Sequence, residues 1–368
     1  MKKRWILLLL LLVPLLARAE EGMTLIDPEA DRGIVPLESA APQAEEGISP
    51  TTGLTLSDLE VPEGFGGLAA TGRYMPALVQ IDNTYGGVKS NMPWGVMYAD
   101  IVYEMPLYRQ GYTRLTCLFS DRIPNAVGPV RSARVGHAWL REEWDCAFLH
   151  YGGQKKSGSN VYDEFKKLGV KSGELRFDGL GGAKAWSGFF QRIKGPKAPH
   201  NVSVDAASVV ALVPEEHQAA EHAFSFTDAV HLGDSAATVV VDWNSTLYSS
   251  TLIWDEAKGG YLRYMHRDDG STLLWADRFT GESAAFANVI VQFTRTTYNS
   301  EPDAPITHLV GEGNADYFMN GMHIAGYWKR ESMDSRTVYY GPDGREISLS
   351  RGKTLIIVLP PSKKVSYQ

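Results

Sequence analysis

The sequence predicts an α+β protein in which an N-terminal α/β layered domain is followed by a mainly β C-terminal domain. Three observations carry this. Between Pro76 and Leu212 short apolar runs alternate with stretches of helical periodicity, the pattern of strands and helices in layers. From about Thr238 the helical pattern gives way to strand-like runs separated by turn sequences. The chain of 368 residues is also long enough for two ordinary domains after its N-terminal segments are set aside.

The first nineteen residues predict export. Lys2-Lys3-Arg4 form a basic start, Trp5 to Leu16 an apolar run, and Ala17-Arg18-Ala19 a small-residue cleavage site, so a signal peptide is expected with the mature chain beginning at Glu20. The run is short for a membrane span, and no transmembrane span is expected in the mature chain. With no cysteine beside the cleavage site, no lipid anchor is expected and the protein should be secreted or otherwise extracytoplasmic. Residues 20–72 hold eight Glu and three Asp against one Arg and no Lys, which predicts a disordered acidic linker. Once that segment is set aside, the overall charge of −7 leaves the remainder close to neutral. A nucleic-acid partner, which calls for a basic face, is therefore excluded.

The α/β domain is expected over residues 73–237. Its strands are Ala77 to Ile81, running into Asp82-Asn83, then Asp100 to Met105, Thr113 to Phe119 and Cys146 to His150. Gly128-Pro129 reads as a helix start, with Val130, Ala133, His137, Leu140 and Trp144 marking one face as far as Trp144. Val161 to Leu168 predicts a second helix stopped by Gly169, and Asp205 to Leu212 a third. The β domain is expected over 238–361, with hairpins at Asn320-Gly321 and Pro342-Asp343-Gly344 and a last buried strand at Leu355 to Leu359. Its many Trp and Tyr side chains suit cross-strand packing. Cys117 and Cys146 fall on predicted strands and read as buried thiols rather than a disulfide framework.

The candidate chemistry centres on Arg131 and Arg134. Placed in a first helical turn they would oppose the macrodipole by about 0.3–1 kcal/mol each, so something negative should face them. That partner is either a bound anion, for which a helix N-terminus is suited, or a buried carboxylate of the protein. Asp82, Glu104 and His150 lie at the carboxyl ends of predicted strands, where polar groups of such sheets meet in one crevice. His200 follows a proline, which disfavours a buried helical histidine there. Arg114, His200 and Asn201 are expected to line the same crevice.

Three functional readings follow. The first is a module binding an anionic envelope ligand or partner through Arg114, Arg131, Arg134, His150, His200, Asn201, Asp82 and Glu104. The second is a cell-wall or phosphodiester hydrolase drawing on Asp82, Glu104, His150 and His200 as acids and bases; no nucleophile motif supports it. The third is a non-catalytic scaffold docking another envelope protein. No paired-histidine or Cys/His spacing suggests a metal, and no cofactor is expected.

A resemblance rests on several of these residues together. IDN at Ile81–Asn83, ADIVYE at Ala99–Glu104, TRL at Thr113–Leu115, VGPVRSAR at Val127–Arg134, HYGG at His150–Gly153, APHN at Ala198–Asn201 and NVIVQ at Asn288–Gln292 occur in order. The chain after Arg73 resembles the YerB family of bacterial envelope proteins. That resemblance implies two domains, N- and C-terminal, in an extracytoplasmic protein, and supplies no activity. Many relatives look like lipoproteins, a feature from which the missing acceptor cysteine departs.

Overall fold

The computed structural model describes residues 22–83, 92–299 and 304–368. The signal-peptide reading and most of the connection after Asn83 lie outside these residues. The labelled strands of the N-terminal half are β1 (Ala77–Asp82), β2 (Ile101–Pro106), β3 (Thr113–Phe119), β4 (Ala147–His150), β5 (Arg176–Asp178) and β6 (Val202–Val204). Its two longer helices are α1 (Val135–Trp144) and α2 (Val161–Lys167). In the C-terminal half the strands that build the centre are β7 (Gly260–His266), β8 (Ala285–Phe293), β9 (Gly311–Met319), β10 (Met322–Arg330) and β11 (Lys353–Leu359).

One mixed sheet runs through both halves. In the N-terminal half β5, β4 and β1 are parallel, and β1, β3 and β2 antiparallel. At the junction β2 pairs in parallel with β11, which pairs in parallel with β8; β8, β9 and β10 then continue antiparallel. The chain is therefore mainly β. The expected alternation of strand and helix is realised only in part: α1, at ten residues, is the longest helix among the described residues. Because β2 and β11 meet at the middle of the sheet, apolar side chains from both halves share two cores. Leu78, Tyr103, Phe148 and Ile356 lie on the face covered by α1 and α2, while Val79, Val102, Leu149 and Leu355 lie on the other. Such alternation is what a sheet buried on both sides demands.

Several local signals translate directly. Asn320 and Gly321, with φ of 54° and 73°, form the two-residue turn between β9 and β10. Gly169 takes φ 72° just beyond the end of α2, the left-handed position that favours glycine. Asp205 caps the helix Ala206–Val210 by accepting from the Ser208 N–H. Cys117 and Cys146 are free and buried. Trp243, Trp275, Trp328 and Tyr261 are core residues of the C-terminal half.

Two expectations need correction. The helix does not start at Gly128-Pro129: Val130 and Arg131 are extended, their N–H groups donating to Val202 O (2.8 Å) and Gln80 O (2.9 Å), and the first helical residue is Val135. Tertiary pairing with β6 and β1 overrides the 3.6-residue pattern there. The acidic segment, expected to be a disordered linker, packs on the body over its described residues 22–72. Thr24–Leu25 pairs with the strand Lys364–Tyr367, Arg32 Nη2 meets Asp316 Oδ2 at 2.8 Å, and Thr52 Oγ1 donates to Asp121 Oδ2 at 2.9 Å. Its many carboxylates set the composition, whereas a few residues, Arg32, Ser49, Thr51 and Thr52, hold it down.

Candidate functional site

Strands β1 and β4 run side by side only from Ala77 to Val79 and from Ala147 to Leu149. Beyond that they separate, and residues 130–133 enter the gap. Arg131 donates to Gln80 O on one side and accepts from the Tyr151 N–H (3.0 Å) on the other, and Ala133 donates to Gly152 O (3.0 Å). This insertion at the carboxyl ends of two parallel strands delivers Arg131 and Arg134 to the crevice such sheets open there.

Strand register supplies the rest. Asp82 stands directly across from Arg114 in the β1–β3 pair. Arg114 Nη2 lies 4.0 Å and Arg131 Nε 3.6 Å from the Asp82 carboxylate, which is also hydrogen-bonded to His200 Nδ1. Arg114 Nη1 donates to Ser132 O (2.6 Å). Arg134 is the residue before α1; its Nη1 donates to Ala133 O (3.0 Å) and its Nη2 to the Tyr108 hydroxyl (3.3 Å). The three guanidinium groups line a cleft of about 180 Å3 with Tyr108 and Tyr112, and the C-terminal half closes it with Leu247 and Tyr248.

The cleft is electrostatically lopsided. Among the described residues Asp82 is the carboxylate that pairs with these arginines, and Arg134 has no acidic partner at all. Burial pushes the Arg114 guanidinium down to about 9, with Asp82 opposing the shift and Arg134 and Arg131 adding to it. Burial likewise lowers Arg134, as does the neighbouring Arg131. Since arginine keeps its proton in proteins, these shifts express buried cations with too little negative charge around them. His137 in the first turn of α1 responds to the same field: burial first, then Arg114 and Arg134, holds it well below its ordinary range. Its Nδ1 accepts from the Arg134 N–H at 3.2 Å, which requires the neutral ring.

Three residues expected in the crevice are elsewhere. Glu104 is on the opposite face of the sheet, because alternation along β2 sends Tyr103 and Met105 towards α1 and Glu104 away from it. There it accepts from Arg263 Nη2 (2.8 Å), Thr113 Oγ1 (2.8 Å) and Asn83 Nδ2 (3.1 Å). His150 is buried with its Nδ1 on Gly152 O (2.7 Å), beside Asp178 at 3.9 Å. Asn201 accepts from Arg192 Nη1 (2.6 Å). Sequence reasoning missed Tyr108 and Tyr112. They flank the Gln110-Gly111 turn between β2 and β3, and a hairpin reading of YRQGY would have found them. Tyr248 gave no signal, since only the packing of the two halves brings it to the cleft.

A second cavity, of about 200 Å3, opens where β2 and β11 begin, with Asp100, Asp121 and Lys353 on its wall. Its groups answer one another. Asp100 Oδ2 accepts from Ser120 Oγ (2.9 Å) and the Asp121 N–H (3.0 Å), and Lys353 Nζ donates to Ala99 O (3.0 Å). Burial raises Asp100 to about 7 and lowers Lys353 to about 8, each opposed by the other's charge. We read this network as the fastening of residues 49–52 to the sheet.

The fold and cleft define a class: a mainly β protein whose N- and C-terminal halves share one sheet and enclose a cationic cleft between them. Residues 66–219 match the family model described as "Protein of unknown function (DUF3048) N-terminal domain", and residues 239–356 match its C-terminal domain. The chain belongs to this DUF3048 family. It is similar to the Bacillus subtilis protein named "Putative lipoprotein YerB", with 28% identity over 276 residues, covering 72% of this chain and 76% of the relative. It is also similar in fold to the crystal structure of YerB from Bacillus subtilis, with a TM-score of 0.66 and 23% identity over 86% of this chain and 99% of the other. The lipoprotein name of this relative overturns the expectation that a lipid anchor is excluded. A missing cysteine at one junction was too narrow a ground for it. No helix among the described residues is long and apolar enough to cross a membrane.

Proposed function

We propose that the chain is an exported binding protein of the cell envelope and that the cleft between its halves takes an anionic ligand. The observation that carries this is that Arg114, Arg131 and Arg134 line one cleft, while among the described residues only Asp82 pairs with any of them, meeting Arg114 and Arg131 and not Arg134. Buried charge is costly unless paired, and a ligand anion would complete the pairing that the chain leaves undone. The basic, apolar and small-residue order of residues 1–19 supports export through a signal peptide.

Thermal unfolding of the full chain with and without phosphate, sulfate and carboxylate salts tests the reading. A ligand that binds the native state raises stability by about 2.7 kcal/mol at a hundred times its dissociation constant. The rise should appear with an anion and vanish in Arg131→Ala. If no anion moves the midpoint, or Arg131→Ala keeps the rise, the cleft is not the binding site.

A further inference from the structure

Resting on the anion-cleft reading, we propose that the ligand is a phosphomonoester dianion carried on a sugar-like ring, with its phosphate among Arg114, Arg131 and Arg134 and its ring against Tyr112. Charge comes first. Three guanidinium groups against one carboxylate leave two positive charges uncompensated among the described residues, and a dianion matches them where a carboxylate would leave one.

Geometry points the same way. A planar carboxylate is satisfied by the fork of a single arginine. Here the three arginines arrive from β3, from the inserted segment and from the residue before α1, so they surround a volume rather than edge a plane. A phosphomonoester presents three acceptor oxygens to such a surround. Arg114 and Arg134 are more than nine-tenths buried, and the Nε of each has no hydrogen-bond partner. These enclosed nitrogens do not reach a ligand themselves; they mark guanidinium groups already desolvated, whose charge an anion in the cleft would offset.

Size and the rim indicate what the phosphate is attached to. A cleft of about 180 Å3 is smaller than the roughly 300 Å3 and upward that encloses a whole drug-sized ligand. It holds a charged head group and leaves the rest outside. Tyr112, which lines the cleft, stacks on Tyr248 with ring centroids 4.9 Å apart and is 42% exposed. One aromatic ring is thereby fixed by the other half of the protein and still offers surface to solvent. The C–H face of a sugar ring is apolar and would cover such a surface.

Titration calorimetry of the full chain with glucose 1-phosphate, inorganic phosphate and glucuronate separates the possibilities. We expect glucose 1-phosphate to bind at least about tenfold more tightly than glucuronate at pH 7.5. Its affinity should fall about tenfold by pH 5, because the second phosphate ionisation lies near 6. Tyr112→Ala should weaken glucose 1-phosphate several-fold more than it weakens inorganic phosphate, and an equal loss for both would remove the ring from the proposal. If glucuronate binds as tightly as glucose 1-phosphate and both are lost in Arg131→Ala, the dianion inference fails while the anion cleft stands. If none of the three binds, or all bind equally well to Arg131→Ala, the anion cleft itself fails. Should Arg131→Ala not fold, the ratio of glucose 1-phosphate to glucuronate on the unaltered chain still decides the inference.

Discussion

The two faces of the central sheet each bury arginine against carboxylate, and they do it differently. On one face Glu104 meets Arg263 at 2.8 Å, with Thr113 and Asn83 completing the carboxylate and the Trp275 ring 5.6 Å from the guanidinium. One cation answers one anion, and both residues are almost wholly buried. On the other face Asp82 answers Arg114 and Arg131 at 3.6–4.0 Å while Arg134 has no carboxylate partner among the described residues, and a cleft opens there. The first arrangement is balanced and closed, which suits a joint between the N- and C-terminal halves. The second is unbalanced and open, which suits a ligand. Charge type alone does not separate structure from function here; stoichiometry and access do.

The largest expected effect lies at the joint. Arg263→Ala strands the Glu104 carboxylate and should lower stability by about 3–5 kcal/mol in urea unfolding, as removal of one partner from a buried pair does. A loss under about 1 kcal/mol would mean that the joint is not what holds the halves together. Arg32→Ala carries the same logic to the acidic segment. Asp316 would keep its 2.7 Å contact with His323 Nε2 but lose the charge-assisted bond to Arg32, worth about 1.5–3 kcal/mol. Limited proteolysis should then cut residues 22–72 sooner than in the unaltered chain, and unchanged cutting would count against their being fastened there.

The cleft predicts smaller effects, and one of them depends on pH. His137 has its folded-state ionisation lowered, by burial first and then by Arg114 and Arg134. Its stabilising contribution is therefore complete above the unfolded value near 6.5 and is lost as pH falls below it. The limiting slope is about 1.4 kcal/mol per pH unit for one proton. Urea unfolding between pH 7.5 and 5 should show this decline flattened in His137→Gln, and an equal slope in the variant would locate the sensitivity elsewhere. Smallest of all is the ligand-free effect of Arg131→Ala. Its side chain is partly exposed and sits among like charges, so we expect a change within about 1 kcal/mol. A loss as large as that of Arg263→Ala would collapse the contrast between the two faces and make the cleft a structural ion cluster.

Much of this contrast was present in the linear sequence without being legible there. Asp82 is singled out by its strand-end position, His200 by the proline before it, and Arg131 and Arg134 by a helix start that the structure moves to Val135; with Arg114 they are nevertheless brought together. Glu104 was grouped with them because it also ends a strand. The period of two along β2 decides its face, and that parity becomes readable only once the neighbouring strands fix which face carries α1. His150 and Asn201 do not line the cleft; their partners, Gly152 O and Arg192, come from local loop geometry that residue type does not specify.

The sequence by itself determined the strand and turn elements whose signals are local: the Asn320-Gly321 hairpin, the Gly169 stop, a helix in the stretch that begins at Asp205 and the apolar strands of both halves. These depend on backbone preferences within a few residues. The tertiary structure alone decided where the helix before Trp144 begins, that the acidic segment is fastened, that β2 and β11 join the halves into one sheet, and that Tyr248 faces the arginines. Each of these turns on hydrogen bonds or charges between residues far apart in the chain, whose energies outweigh local propensity and leave no trace in local pattern.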